Sequence, residues 1–160
     1  MRSAVIVVLL SVLVAAPAIA TAAVDYTDYL RVVDDLATAS LVTGLAVADG
    51  RAYLTVGEAG LAVVDITDPA DLQLVGSTPF DGVLVDVVAV PPWAYATDNA
   101  GGLHAFDLAD PDAPALVASL TLPDVGRDLH RHDDLLLVAA ADAGLVILDI
   151  TVRAVSYTHL

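Results

Sequence analysis

The chain has 160 residues, enough for one domain with its own core, and 58% of them are hydrophobic. Its formal net charge is −15, with 21 acidic residues, 6 arginines and no lysine. Such a surface repels phosphate groups, which argues against nucleic-acid partners and anionic membranes. The absence of cysteine excludes disulfides, thiolate zinc sites and a catalytic thiol, and the absence of lysine excludes Schiff-base chemistry.

Residues 1–23 have the pattern of a secretory signal peptide. Arg2 precedes a run over residues 4–14 that is apolar except for Ser11, and the segment ends in Ala-x-Ala. Cleavage after Ala20 or after Ala23 fits this pattern. The alternative is an uncleaved anchor, because residues 4–20 have about the shortest length that spans a bilayer. We prefer export, which predicts a secreted, periplasmic or cell-surface protein that meets a membrane only through its export signal.

A heptapeptide repeats three times along the rest of the chain. Gly-Leu-Ala-Val-Val-Asp-Ile at 60–66 recurs in related form at 102–108 and at 144–150, with offsets of 102 − 60 = 42 and 144 − 102 = 42. The Asp-Pro pair at 68–69 also recurs 42 residues later, at 110–111. Self-similarity at a fixed period of this length is typical of solenoids, propellers and arrays.

Each repeat contains up to four short candidate strands separated by turn residues. The units are predicted at 41–80, 83–122 and 125–151, with strands at 43–48, 52–56, 61–66, 72–77, 84–90, 93–97, 103–108, 115–120, 127–132, 135–140 and 145–150. The strands are nearly continuous apolar runs, so both faces must be covered. We therefore predict an all-β fold, a partial β-propeller of about three four-stranded blades over residues 24–151.

The first hairpin turns of the three units differ. Asp49-Gly50 supplies the positive φ that a two-residue hairpin needs, and Asp133-Asp134 takes the same place in the third unit. The second unit has Pro91-Pro92 there, so we expect a turn of another shape.

The repeated core resembles the LVIVD-repeat family of extracellular β-propellers. The resemblance rests on Leu-Val-Ile-Leu-Asp-Ile at 145–150, Leu-Ala-Val-Val-Asp-Ile at 61–66 and the Asp-Pro that follows the latter. It extends over about residues 29–151, and His104 and Ala105 depart from the motif in the second copy. The resemblance implies an extracellular propeller.

The two ends indicate an open ring. Residues 29–36 align with 71–78, one period later, and are predicted to be an orphan fourth strand. Three blades are fewer than the four to eight of a closed propeller. Residues 152–160 are predicted to be a non-native or irregular tail, since Val-Ser-Tyr-Thr-His-Leu at 155–160 resembles translated read-through of a sequencing adapter. We therefore expect the chain to be a fragment of a longer one.

One cluster offers residues for chemistry. Asp128, His130 and His132 alternate along a strand, which places them on one face. A metal or substrate site there would make the protein a hydrolase or lyase, but we prefer to interpret them as solvated channel residues. His104 is predicted to be a core or interface histidine. No motif for a nucleophile, a phosphate loop or a dinucleotide occurs.

Other polar residues recur with the repeat. The glycine and aspartate of each copy are predicted to be structural, with each carboxylate accepting backbone N–H bonds from the turn behind it: Gly60, Asp65, Gly102, Asp107, Gly144 and Asp149. Candidate binding residues lie in equivalent turns that a propeller gathers at one rim: Glu58, Asp98, Asn99 and Asp142. Calcium would suit such oxygen ligands, but no turn has the spacing of a dedicated loop, and we predict no cofactor. Trp93 and Tyr95 are assigned to blade packing rather than to a sugar platform.

We therefore predict an exported, non-enzymatic binding or interaction scaffold whose partner is an unidentified protein or cell-surface ligand. The alternative is the hydrolase or lyase with its site at Asp128, His130 and His132.

Overall fold

The computed structural model describes residues 32–151. The predicted signal peptide at 1–23, the first three residues of the orphan strand and the tail at 152–160 lie outside the described residues. No helix within 32–151 has the length and hydropathy to cross a membrane.

The repeat units form three antiparallel sheets, each folded as a meander. Blade 1 consists of β1 (Gly44–Ala48), β2 (Arg51–Thr55), β3 (Leu61–Asp65) and β4 (Gln73–Thr78). Blade 2 consists of β5 (Leu84–Val90), β6 (Trp93–Asp98), β7 (Gly102–Asp107) and β8 (Ala115–Thr121). Blade 3 consists of β9 (Gly126–His132), β10 (Leu135–Ala140) and β11 (Gly144–Asp149). The all-β prediction is confirmed, and the sheets pack like propeller blades.

The hairpin turns follow their sequences. Asp49 and Gly50 have φ of 49° and 72°, the pair of positive values that a type I′ turn requires. Asp133 also has a positive φ, 53°. Pro91-Pro92 has a cis peptide bond, so this turn differs from the other two, as predicted.

The repeat extends to the irregularities of the sheets. The pairing of β3 with β4 shifts between Val63 and Val64, and the pairing of β7 with β8 shifts between Ala105 and Phe106, 42 residues later. A bulge at the same place in two blades shows that the 42-residue repeat also preserves the register in which the third and fourth strands pair.

Apolar side chains fill the space between successive blades. Tyr53, Leu61 and Val63 of blade 1 pack with Val87 and Phe106 of blade 2. On the other side of blade 2, one cluster joins its side chains to those of blade 3: Leu103, Leu122, Leu129, Leu136, Val138 and Ala140. Each fully buried leucine, valine or phenylalanine side chain contributes about 1.5–3 kcal/mol. Burial on both faces of a blade accounts for the nearly continuous apolar runs of the strands.

The first strands of the blades lie side by side, since β1 contacts β5 and β5 contacts β9. Polar bonds connect them across the blade boundaries. Thr43 Oγ1 donates to Leu84 O at 2.8 Å, and Leu129 N donates to Asp86 Oδ2 at 2.6 Å.

The described part of the predicted orphan strand differs from expectation. Residues 32–38 have no strand structure, because a strand exists only where its backbone groups pair with a neighbour, and no described segment pairs with this one.

Candidate functional site

Asp128, His130 and His132 share a face of β9, as predicted, but they do not assemble into a site. They pair in register with Ala139, Leu137 and Leu135 of β10, and all three are exposed. His132 Nε2 lies 3.7 Å from Asp133 Oδ2 in an exposed pair, which stabilises little. Within residues 32–151, no three acidic, histidine or cysteine side chains converge as metal ligands.

The three repeated aspartates close the turns that follow their strands. Asp65 Oδ1 accepts a bond from Thr67 N at 2.8 Å, Asp107 Oδ1 from Ala109 N at 2.8 Å, and Asp149 Oδ1 from Thr151 N at 2.8 Å. The same geometry in each copy supports the structural role predicted for them.

Hydroxyl donors add to two of these turns. Thr67 Oγ1 donates to Asp65 Oδ1 at 2.6 Å, and Thr151 Oγ1 donates to Asp149 Oδ1 at 2.6 Å. The hydroxyl bond, followed by the backbone bond, lowers the pKa of Asp65 and of Asp149, because both bonds favour the ionised form. Asp107 has the backbone bond from Ala109 in the equivalent turn.

The glycine of the first copy is required by its backbone. Gly60 has φ of 92° and ψ of −138°, a region open essentially to glycine alone. A Cβ there would also collide with Thr78 O and with Phe80 N. Gly144 has a similar conformation, with φ of 77°, but a Cβ would meet no atom within 4 Å.

The candidate binding turns lie at one end of the blades. We call them the loop rim, defined as residues 57–59, 98–101 and 141–143. Glu58, Asn99 and Asp142 are exposed there. The backbone holds the turns in place: Asn99 N donates to Val83 O at 3.0 Å, and Asp142 N donates to Asp124 Oδ2 at 3.0 Å.

Asp98, predicted as a candidate binding residue of the rim, is not available for binding there. It is only 8% exposed. Its Oδ1 accepts bonds from Ala100 N at 2.8 Å and from Gly102 N at 2.6 Å, and its Oδ2 lies 2.9 Å from His104 Nε2. The carboxylate is therefore engaged inside blade 2, because buried acceptors must be satisfied there.

His104 is the centre of a polar network that the sequence did not reveal. It is 7% exposed, which confirms the prediction of a buried histidine. Nε2 faces Asp98, Nδ1 lies 2.8 Å from Ser119 Oγ, and the ring meets Phe80 edge-on with centroids 4.6 Å apart. The only indication that Ser119 belongs to this network is its position opposite His104 in the pairing of β7 with β8.

A serine, a histidine and an aspartate in a row are also the elements of a nucleophilic triad. Here Asp98 already accepts two backbone bonds, and the network connects β6, β7 and β8 within one sheet. Satisfied polar networks of this kind fix the register of the strands around them. We therefore assign Asp98, His104 and Ser119 to the stability of blade 2.

A groove of about 250 Å³ lies between β8 and the end of β11. Its walls are largely apolar and include Trp93, Tyr95, Val117, Leu120, Leu148 and Ile150. Tyr95 packs against the cluster between blades 2 and 3, in accord with its predicted packing role, and burial raises the pKa of its hydroxyl. The groove is suited to apolar side chains.

Comparison with known proteins finds a similar repeat family. The LVIVD repeat family matches residues 41–79 and 132–156, which lie in the first and last units. No curated protein matches the chain.

Solved structures match across the blades. The computationally designed Ika8 protein has a TM-score of 0.59 and 16% identity over 75% of this chain and 36% of its own. BamB from Moraxella catarrhalis has a TM-score of 0.54 and 14% identity over 69% and 35%. Apo AztD from Citrobacter koseri has a TM-score of 0.51 and 14% identity over 68% and 31%. The likeness shows the propeller fold, and this chain spans about a third of the length of each.

Proposed function

We propose that this LVIVD-repeat β-propeller chain is an exported, non-enzymatic scaffold that binds a protein or cell-surface ligand through its loop rim. The observation that carries the proposal is the equivalent placement of three exposed turns at one end of rigid blades. Glu58, Asn99 and Asp142 occupy these turns. Binding residues are commonly presented on loops that a rigid scaffold positions.

The distribution of polar side chains supports binding over catalysis. The aspartates that recur with the repeat are bonded to their own turns, and Asp98 is bonded inside blade 2. A catalytic group needs a partner within hydrogen-bond reach to hold it at the reacting atom. The exposed face at Asp128, His130 and His132 has the residue types for such a site but does not bring them together.

The negative net charge of the protein restricts the kinds of partner that it can bind. The net charge of −15 disfavours nucleic acid and anionic lipid and favours a neutral or basic surface. Export is supported by the signal-peptide pattern at 1–23, with the membrane serving only the export step.

The test compares two double variants. Glu58→Lys with Asp142→Lys reverses the charge of the loop rim, and Asp71→Lys with Asp134→Lys makes the same charge change at exposed positions in other turns. Labelled protein is titrated onto intact cells of the encoding organism. We expect saturable binding that the rim variant weakens about ten-fold or more, as expected when a central contact is lost, and that the control variant retains.

The catalytic alternative has its own variant. If His130→Ala with His132→Ala abolishes turnover of a hydrolase or lyase substrate while the circular dichroism spectrum is unchanged, the protein is an enzyme. Equal binding by the rim and control variants would also overturn the scaffold proposal.

A further inference from the structure

One turn of the loop rim differs in shape from the other two. In blades 1 and 3 the turn between the second and third strands is a short 3-10 helix, at Gly57–Ala59 and Ala141–Ala143, whose first residue has a positive φ of 47° and 34° respectively. In blade 2, β6 instead continues to Asp98, and the positive φ, 89°, lies at Gly101. The turn that presents Asn99 therefore has its own backbone shape.

Blade 2 also has a carboxylate and an imidazole at two repeat positions where the other blades have apolar residues. The aligned sets are Val56, Asp98 and Ala140, and Ala62, His104 and Val146. The first position is buried in every blade. A carboxylate is costly at a buried position unless hydrogen bonds compensate for the lost water. In blade 2 the imidazole supplies one of these bonds, so the two polar residues depend on each other.

Contacts outside the turn orient the imidazole. Because an ionised carboxylate only accepts, His104 Nε2 carries the proton that it donates to Asp98 Oδ2 at 2.9 Å. In the neutral ring Nδ1 then accepts from Ser119 Oγ at 2.8 Å, and the edge-on contact with Phe80 fixes the plane of the ring. The absence of a side chain at Gly102 makes room for the pair, since a Cβ there would collide with both partners.

Asp98 transmits this orientation to the middle of the turn. Its Oδ1 accepts bonds from Ala100 N at 2.8 Å and from Gly102 N at 2.6 Å. Bonds to an ionised acceptor are about twice as strong as bonds between neutral groups. The same carboxylate is bonded to His104 through its other oxygen, so the position of these two amides depends on the imidazole.

The ends of the turn are held in another way. Asn99 N donates to Val83 O at 3.0 Å, and Leu122 N donates to Gly101 O at 2.8 Å. These bonds join the turn to the segments that precede and follow blade 2, and neither involves a side chain. We therefore expect the loss of the imidazole to loosen the middle of the turn and to leave its ends in place.

We propose that His104 is a positioning residue of the loop rim, which holds the turn of blade 2 through Asp98 and so sets where Asn99 meets the ligand. The part that concerns binding rests on the proposed function, whereas the positioning of the turn does not. His104 is only 7% exposed, so it acts through Asp98 and not by contact with the ligand. Asn99 is exposed, and its amide both donates and accepts. A turn of fixed shape loses less conformational entropy on binding. This role is additional to the contribution of the network to stability.

The first experiment measures amide hydrogen exchange in the full chain by NMR. His104→Ala gives blade 2 the side chain that blade 1 has at this repeat position. We expect exchange to become about ten-fold faster or more at Ala100 and Gly102, as for the loss of a bond to a charged group. Exchange at Asn99 and Leu122 should not change. Unchanged exchange at the first two amides overturns the proposal, and so does an equal rise at all four, which would indicate that blade 2 loosens as a whole.

A rescue and two further variants separate positioning from stability. His104→Gln retains an N–H donor for Asp98 and should keep exchange at the same two amides within about three-fold of the unsubstituted chain. Asp107→Ala removes a carboxylate from the turn at the opposite end of β7 and should leave these amides unchanged. A glutamine variant that behaves like the alanine variant overturns the proposal. If His104→Ala does not fold, Ser119→Ala decides, because Ser119 is exposed and orients the ring. A rise of about three-fold supports the proposal, and no rise overturns it.

The second experiment is the titration of labelled protein onto intact cells. His104→Ala and Asn99→Ala should each raise the half-saturation concentration about ten-fold, and Asp107→Ala should not. Asn99→Ala should do so without faster exchange, because it changes the contact and not the turn. Normal binding by His104→Ala overturns this proposal, while an effect of Glu58→Lys with Asp142→Lys would still support the loop rim. If the unsubstituted chain shows no saturable binding, the proposed function fails and the exchange rates alone decide whether His104 positions the turn.

Discussion

The side chain of Asp86 accepts a 2.6 Å hydrogen bond from Leu129 N and thereby connects the first strands of blades 2 and 3. Asp86→Ala leaves that backbone N–H without its acceptor between two blades. We expect the free energy of unfolding to fall by about 1–3 kcal/mol, measured by urea denaturation. Asp134→Ala, at an exposed position in a hairpin turn, should change it by less than about 0.5 kcal/mol. Equal effects of the two variants would mean that the bond adds nothing to stability.

The pKa of Asp98 predicts an acid transition. Burial alone would raise this pKa, but bonds from Gly102 N, from His104 and from Ala100 N together lower it below the ordinary value of 3.8. The ionised carboxylate therefore contributes stability that is fully present above pH 3.8 and is lost as the pH falls through the lower pKa of the folded state. We expect the melting temperature of Asp98→Asn to depend less steeply on pH below that value than that of the unsubstituted chain. Glu58→Gln, in an exposed turn, serves as the control and should retain the full slope.

The turn at Asp65 gives a prediction for a single carboxyl group. Thr67→Val removes the hydroxyl bond that contributes most to the low pKa of Asp65 and keeps the shape of the side chain. The pKa of Asp65 should rise toward 3.8, as followed by carboxyl carbon shifts in an NMR titration. Asp149, which is bonded to Thr151, provides an internal control in the same sample. A pKa of Asp65 that does not move would show that the backbone bond alone sets it.

Two glycine-to-alanine variants distinguish the cost of backbone strain from the cost of a steric collision. Gly60→Ala introduces an unfavourable φ and a collision with Thr78 O, whereas Gly144→Ala introduces the unfavourable φ into open space. The strain costs about 1–3 kcal/mol in either case, so the excess loss for Gly60→Ala measures the collision. Thermal unfolding of both variants decides the matter, and a larger loss for Gly144→Ala would contradict this account.

The strands were predictable because turn residues and the period of 42 fix their ends. β5 and β10 have the predicted bounds, and β9 begins at Gly126 rather than at 127. The role of Asp98 was not predictable in the same way. Its turn aligns with the turns that contain Glu58 and Asp142. Blade 2 differs from the other blades because it has His104 where they have Ala62 and Val146. A buried imidazole needs polar partners. The identity of those partners depends on a turn six residues earlier and on the strand opposite.

The cluster at Asp128 shows a second limit of the sequence. Alternation placed Asp128, His130 and His132 on one face correctly, because side chains alternate along any strand. It could not show whether a neighbouring blade covers that face. Exposure depends on the packing of whole sheets, and the equivalent residues of β5 are half-buried in the structure.

The open face of blade 3 has a consequence for how the chain comes apart. Within residues 32–151, β11 pairs only with β10 and its Ile147 is 55% exposed, whereas β7 lies between two strands and its Phe106 is fully buried. In stacked repeats each unit is held by its neighbours, so fraying starts where a neighbour is missing. In a monomer, hydrogen exchange should therefore be fastest in β11, slower in β10 and slowest in β7, and this gradient would set where a protease first enters.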